Sequence, residues 1–233
     1  LMAINDWLVA TKGGRVPTVP HRIRSAEILG DEKAFDELSR SALFMDGRLS
    51  WELLAATPIE PPLALRRIGP RGGVLVVENS DPYWLCVEAL AGQEGTIGLV
   101  VWGQGQAGIR SLPTLAREPY VTGPVWYWGD FDPTGLAIPI AASAGVEAAG
   151  LGPLRPAEPF YEAMADHAER TGGTECRTAW GERDRSSWLG VPLWKRFSPV
   201  VGRGRRVAQE VLGPEQVRIV AASLGVDTPV GPA

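Results

Sequence analysis

Three short apolar runs decide what this chain can fold into: residues 74–77, 97–102 and 124–128. Each is four to six residues long and lacks the in-out alternation of a half-solvated strand. Such runs fit strands buried on both faces of a parallel sheet. Each is followed by a segment that suits a helix. Residues 82–91 carry Pro82 in their first turn, residues 109–117 are interrupted by Pro113, and residues 133–144 open on Pro133 and contain Pro139. Strand followed by helix, three times over, predicts an α/β domain: a Rossmann-like parallel sheet flanked by helices.

The flanks read differently. Residues 1–70 look like a small, mostly helical appendage, with a helix expected over 31–43, where Leu38 and Ala42 stand at helical spacing. Prolines at 58, 61 and 62 cannot continue a helix and read as a linker, and the glycines of residues 69–73 mark a boundary. The predicted division is therefore 1–72, appendage and linker, and 73–233, main domain with a helical C-terminal extension. Beyond Pro159 the sequence predicts an amphipathic helix over 160–170, a polar loop over 171–185, helices over 203–212 and 215–224, and a frayed tail over 226–233. Leu1 precedes Met2, which suggests a trimmed start.

Composition excludes several classes. With 45% hydrophobic residues among 233, a real core is available and global disorder is not expected. No apolar run reaches about 18 residues, so no membrane span is predicted. The two cysteines, Cys86 and Cys176, make neither a zinc framework nor a disulfide scaffold and fit a reducing cytoplasm. A net charge of −4 is not that of a simple nucleic-acid binder. Arginine nonetheless dominates the cations, and Arg203, Arg205 and Arg206 suggest a local basic face.

The chemistry gathers at strand ends. In open parallel sheets, sites form outside the carboxyl ends of the strands. Glu78 directly follows the first run, and Asp130 and Asp132 closely follow the third. If those strands are neighbours, three carboxylates converge. Unpaired carboxylates that close repel one another and lose solvation, a penalty that a hard divalent cation removes. Gly129 and Gly135 beside them would let a polyanion approach. Asp132, immediately before Pro133, is equally a helix-capping candidate.

Val76-Val77-Glu78-Asn79, the Trp102-Gly103 turn and Trp128-Gly129-Asp130-Phe131-Asp132-Pro133-Thr134-Gly135 together resemble the Toprim core of the JetD subunit of Wadjet plasmid-defence systems. The same core resembles the A subunit of topoisomerase VI. Residues 22–33 and Ala208-Gln209-Glu210 are similar to further pieces of that family. The resemblance implies a Toprim fold and Mg²⁺-dependent cleavage of double-stranded plasmid DNA, with Mn²⁺ as an alternative ion. It makes Glu78 a metal ligand or proton-transfer group, makes Asp130 and Asp132 metal ligands, and offers Glu210 as a further acid. It also implies an SMC-type motor complex as partner and a homodimer, since paired cuts need two sites. No tyrosine precedes Tyr83, so none in the first 70 residues could serve as a topoisomerase nucleophile. Hydrolysis is expected rather than strand passage.

Other readings compete. Gly103-Gln104-Gly105-Gln106-Ala107-Gly108 matches G-x-G-x-x-G, with Asp130 about 20 residues on, as in dinucleotide-binding oxidoreductases. Asp130-Phe131-Asp132-Pro133-Thr134 fits the start of a haloacid-dehalogenase-like phosphatase, with Lys195 and the Glu182/Asp184 region as its later members. Nine tryptophans would also serve a docking module, though most are expected in the core. His21 and His167 lack ligand spacing and read as structural, and Ser186-Ser187 reads as loop.

Overall fold

The structure, a computed structural model, describes residues 1–181 and 186–225. The tail at 226–233 and the Glu182/Asp184 pair lie outside the described residues. The chain divides into two compact units, Leu1–Glu60 and Pro61–Ala233.

The first unit comprises α1 (Met2–Thr11), β1 (Val19–Pro20), α2 (His21–Leu29), α3 (Ala34–Leu38), α4 (Ala42–Met45) and β2 (Ala56–Thr57), with β1 and β2 paired in parallel. Ile4, Phe35, Leu49, Leu54 and Ala56 form its small core. The helix expected over 31–43 is broken: the Ser41 hydroxyl donates to the Leu38 carbonyl at 2.6 Å and competes with the helical ladder, so α3 and α4 are separate. His21 is structural, as expected. Its Nε2 lies 2.7 Å from Asp36 Oδ1 and its ring meets Trp51 edge-on. Buried Arg24 donates to the carbonyls of Pro17 and Ala55 and pairs with Glu27.

The second unit holds β3 (Leu65–Arg67), β4 (Gly73–Val77), α5 (Ser80–Leu90), β5 (Ile97–Trp102), two 3₁₀ turns (Gly105–Arg110 and Leu112–Arg117), β6 (Val125–Trp128), α6 (Pro133–Ala148), β7 (Leu154–Pro156) and α7 (Glu158–Thr171). It continues through β8 (Thr174–Glu175), α8 (Ser186–Leu189), α9 (Val191–Gly202), β9 (Arg205–Arg206), a 3₁₀ turn at Gln209–Val211 and α10 (Pro214–Ser223). The five-stranded sheet runs β3-β5-β4-β6-β7, parallel except for the antiparallel edge strand β3. The predicted fold class is thus present: an α/β unit with a mostly parallel sheet between helices, compatible with a Toprim-like fold.

Both faces of the sheet are buried, which is why its strands read as unbroken apolar runs. Val74 and Val76 pack with Leu99, Val101, Tyr127 and Ile138 on one face. Leu75 and Val77 pack with Cys86, Val100, Trp128 and Phe160 on the other. Each such side chain contributes roughly 1.5–3 kcal/mol. Of the tryptophans, Trp126 and Trp128 are core residues, while Trp84 is exposed. No helix among the described residues is long and apolar enough to cross a membrane.

The C-terminal part departs from expectation. Residues 203–212 are not a helix. Gly204 has φ +64°, a left-handed conformation that interrupts helical geometry, and β9 pairs with β8 instead. Phe131 and Val207 then exchange backbone hydrogen bonds of 2.8 and 3.1 Å. The sequence reading does not foresee α9, and Ser186-Ser187, expected in a loop, begins α8. Residues 109–117 coil as 3₁₀ turns rather than an α-helix.

Candidate active site

From β4 the chain moves outward to β5 and then crosses to β6 on the other flank of β4. The carboxyl end of β4 is therefore a topological switch point, where open α/β sheets place their sites. Val77 pairs with Trp128, so the residues that follow, Glu78 and Asp130, leave adjacent strands side by side. Glu78, Asp130 and Asp132 are each only 8% exposed.

Glu78 is fixed by its neighbours. Its backbone N–H donates to the Trp128 carbonyl at 3.0 Å, and the Tyr127 hydroxyl donates to Glu78 Oε2 at 3.0 Å. A side chain at Gly129 would land on that carboxylate, and one at Gly135 would land on the Asp130 carbonyl. These glycines make room for the protein's own groups. The Gly129 N–H donates to the buried Tyr161 hydroxyl at 3.0 Å and holds the turn.

Asp130 and Asp132 divide their oxygens. Asp130 Oδ1 accepts from the Gln209 backbone N–H at 2.9 Å and from Asn79 Nδ2 at 3.4 Å, and Oδ2 lies 3.4 Å from Arg206 Nη2. Asp132 does cap a helix: Oδ1 accepts from the backbone N–H groups of Thr134 and Gly135 at 2.9 and 2.8 Å, closing the start of α6. Its Oδ2 pairs with Arg206 Nη1 at 3.1 Å. One guanidinium thus bridges both aspartates.

Sequence reasoning misses two members of this site. In the sequence Arg206 reads only as part of a basic face, and Gln209 appears only as part of a resemblance. Gln209 is fully buried. Its Oε1 accepts from the Asn79 backbone N–H at 3.0 Å and its Nε2 donates to the Trp128 carbonyl at 2.8 Å. It stitches the ends of β4 and β6 to the C-terminal segment. The available signal is a lone amide between Val207 and Val211-Leu212. Glu210 is exposed and accepts from Asn79 Nδ2 at 3.2 Å. With Glu78 it faces a cleft of about 410 Å³ bordered by Asn79, Ser80, Trp102 and Gln104.

The electrostatics follow from this crowding. Burial, then the Asp130 charge, pushes the Glu78 carboxyl up to about 7, although the Tyr127 hydrogen bond opposes the rise. Burial also raises Asp130, against the Gln209 hydrogen bond and the Arg206 charge. Among the described residues, no three His, Cys, Asp or Glu side chains close on one point as a preformed metal cage would. Mg²⁺ does not require such a cage. It takes one or two carboxylates and fills its octahedron with water and phosphate oxygen. Buried, mutually repelling carboxylates with a single guanidinium between them fit that demand.

The competing motifs fare less well. Gly103–Gly108 feeds a short 3₁₀ turn that folds back on itself, with Gly108 against the Gly103 carbonyl, so no α-helix N-terminus is presented to a pyrophosphate. Lys195 is exposed on α9, and Cys86 is buried with its thiol pushed up to about 12.

Among known families, residues 32–144 match the model described as Wadjet protein JetD, C-terminal. The match takes in all three acids and ends before Arg206 and Gln209. No curated protein matches the chain.

Proposed function

We propose that this chain, a JetD-like Wadjet protein by the match across residues 32–144, is the DNA-cleaving subunit of its defence system. The observation that carries the reading is the convergence of Glu78, Asp130 and Asp132 at the switch point of the sheet, where Asp130 is held by Gln209 and Asn79. The reaction is hydrolysis of a phosphodiester in double-stranded plasmid DNA. Asp130 and Asp132, through the oxygens facing Arg206, would hold Mg²⁺ or Mn²⁺, with Glu78 beside them as a further ligand or as the proton-transfer group. Such an ion supplies Lewis acidity to the phosphoryl group.

The chain's own groups do the rest. Glu78 titrates near neutrality, which suits it to accept a proton from water or return one to the leaving oxygen. Tyr127 fixes the orientation of that carboxyl, and its phenol stays neutral because burial raises it well above the usual range. Arg206 is placed to neutralise charge on the aspartates or on a bound phosphate. The family reading also assigns an SMC-type motor complex as partner and a homodimer that pairs two cuts, and the two free cysteines fit a reducing cytoplasm.

The test is cleavage of supercoiled plasmid with Mg²⁺ or Mn²⁺ by the wild type and by Asp130→Ala and Glu78→Ala. Metal-dependent nicking or linearisation that falls at least about 100-fold in both variants is the expected result. Cleavage that survives both substitutions would sink the assignment.

A further inference from the structure

Arg205 and Arg206 are adjacent in β9, and a strand sends successive side chains to opposite faces. Arg206 goes to the acids. Arg205 faces a separate cleft of about 380 Å³ at the ends of α7 and α9, which Arg170, Arg196 and Arg203 also line. Glu169 is the only acid among its lining residues, and Arg196 holds it with hydrogen bonds of 2.9 and 2.8 Å while also donating to Asp166 at 2.5 Å. Arg205 is pinned by donating to the Gly172 and Gly173 carbonyls at 3.3 and 3.2 Å. Arg170 and Arg203 pair with no carboxylate among the described residues.

Three guanidiniums without acidic partners, gathered around one cleft in a chain of net charge −4, favour an anion there. The donors are planar forks, which match phosphate oxygens two at a time. We propose that this cleft holds the phosphodiester backbone of duplex DNA beside the segment that meets the acids. The proposal rests on the nuclease reading for its choice of polyanion. Two further features favour DNA. The one acid in the lining, Glu169, is already held by Arg196, and the two-residue strand β9 carries both Arg205 of the cleft and Arg206. The arginines that the sequence grouped as one basic face thus serve two surfaces.

The test uses the full chain, EDTA and a fluorescent duplex of about 30 base pairs, titrated from about 50 to 200 mM salt. The wild type is compared with Arg170→Gln/Arg203→Gln, whose altered side chains make no hydrogen bond among the described residues, and with the charge reversal Arg203→Glu. Loss of two phosphate contacts should lower the slope of log affinity against log salt by about 2 and weaken binding about 10-fold at low salt. Mg²⁺-dependent hydrolysis of bis(p-nitrophenyl) phosphate should not change, since that small diester needs only the acids. Unchanged affinity and slope in both variants would overturn the proposal. So would weakening confined to poly-glutamate, which would assign the cleft to an acidic protein. Weakened DNA binding together with a wild type that hydrolyses no diester would keep the cleft and reject the nuclease reading.

Discussion

Glu78→Gln tests the electrostatic reasoning without any need for activity. The folded protein raises this carboxyl from its ordinary 4.5 to about 7, chiefly by burial and then by the Asp130 charge. The native state therefore holds the proton more tightly than the unfolded chain does. The stability that this gives is complete below about pH 4.5 and is lost as pH climbs through about 7. At about 1.4 kcal/mol per pH unit, the loss comes to about 3 kcal/mol by pH 8. Glutamine is close in shape, still accepts from the Tyr127 hydroxyl and has no charge to lose. Urea unfolding in EDTA at pH 4, 6 and 8 would measure both proteins. The stability difference between variant and wild type should grow by about 3 kcal/mol in the variant's favour from pH 4 to pH 8. Titration of Asp130 occurs in both proteins and largely cancels. A difference that stays flat within about 0.5 kcal/mol would refute the claim that burial and the Asp130 charge raise this carboxyl.

Two further substitutions probe the clamp around the acids. Gln209→Leu keeps the volume but leaves the Asn79 N–H unpartnered and the Trp128 carbonyl with only the Glu78 N–H; denaturant unfolding should show a loss of about 1–3 kcal/mol, and a loss below about 0.5 kcal/mol would mean that the Asn79 N–H does not depend on the amide. Arg206→Gln removes the cation shared by Asp130 and Asp132, so without divalent ions the protein should lose about 1–3 kcal/mol; thermal melts should show Mg²⁺ restoring more stability to the variant than to the wild type, and equal restoration would mean that guanidinium and ion do not share a place.

The sheet was legible because burial on both faces leaves strands such as Val74–Val77 with no polar positions to disguise them. The acids were legible for a related reason: a charged residue straight after such a run has nowhere to sit except the sheet's carboxyl edge. Asp132 carried two signals, capping and chemistry, and its two oxygens can serve both. What stayed hidden depends on pairing between distant segments. Nothing local in Arg205-Arg206-Val207 announces that it pairs with Thr174–Glu175 and with Phe131. The periodicity over 203–212 looks helical, and only the left-handed Gly204 and the partner strands decide otherwise. α9 was obscured by Pro192 and Pro199, although the first lies at the helix start, where proline costs little. β3 is only three residues long, and two of them are arginines that suit an exposed sheet edge better than a core.

The exchange of backbone hydrogen bonds between Phe131 and Val207 also sets an order of events during synthesis. A nascent chain emerging from the ribosome presents Glu78, Asp130 and Asp132 more than 70 residues before Arg206 and Gln209 can reach them. Until then the acids lack both their amide stitch and their counter-ion, and their mutual repulsion works against closing the switch point. The acidic site is therefore completed late, by a segment that follows the whole of the sheet. A polypeptide cut short between Asp132 and β9 would carry all three acids of the proposed nuclease without the parts that hold them together.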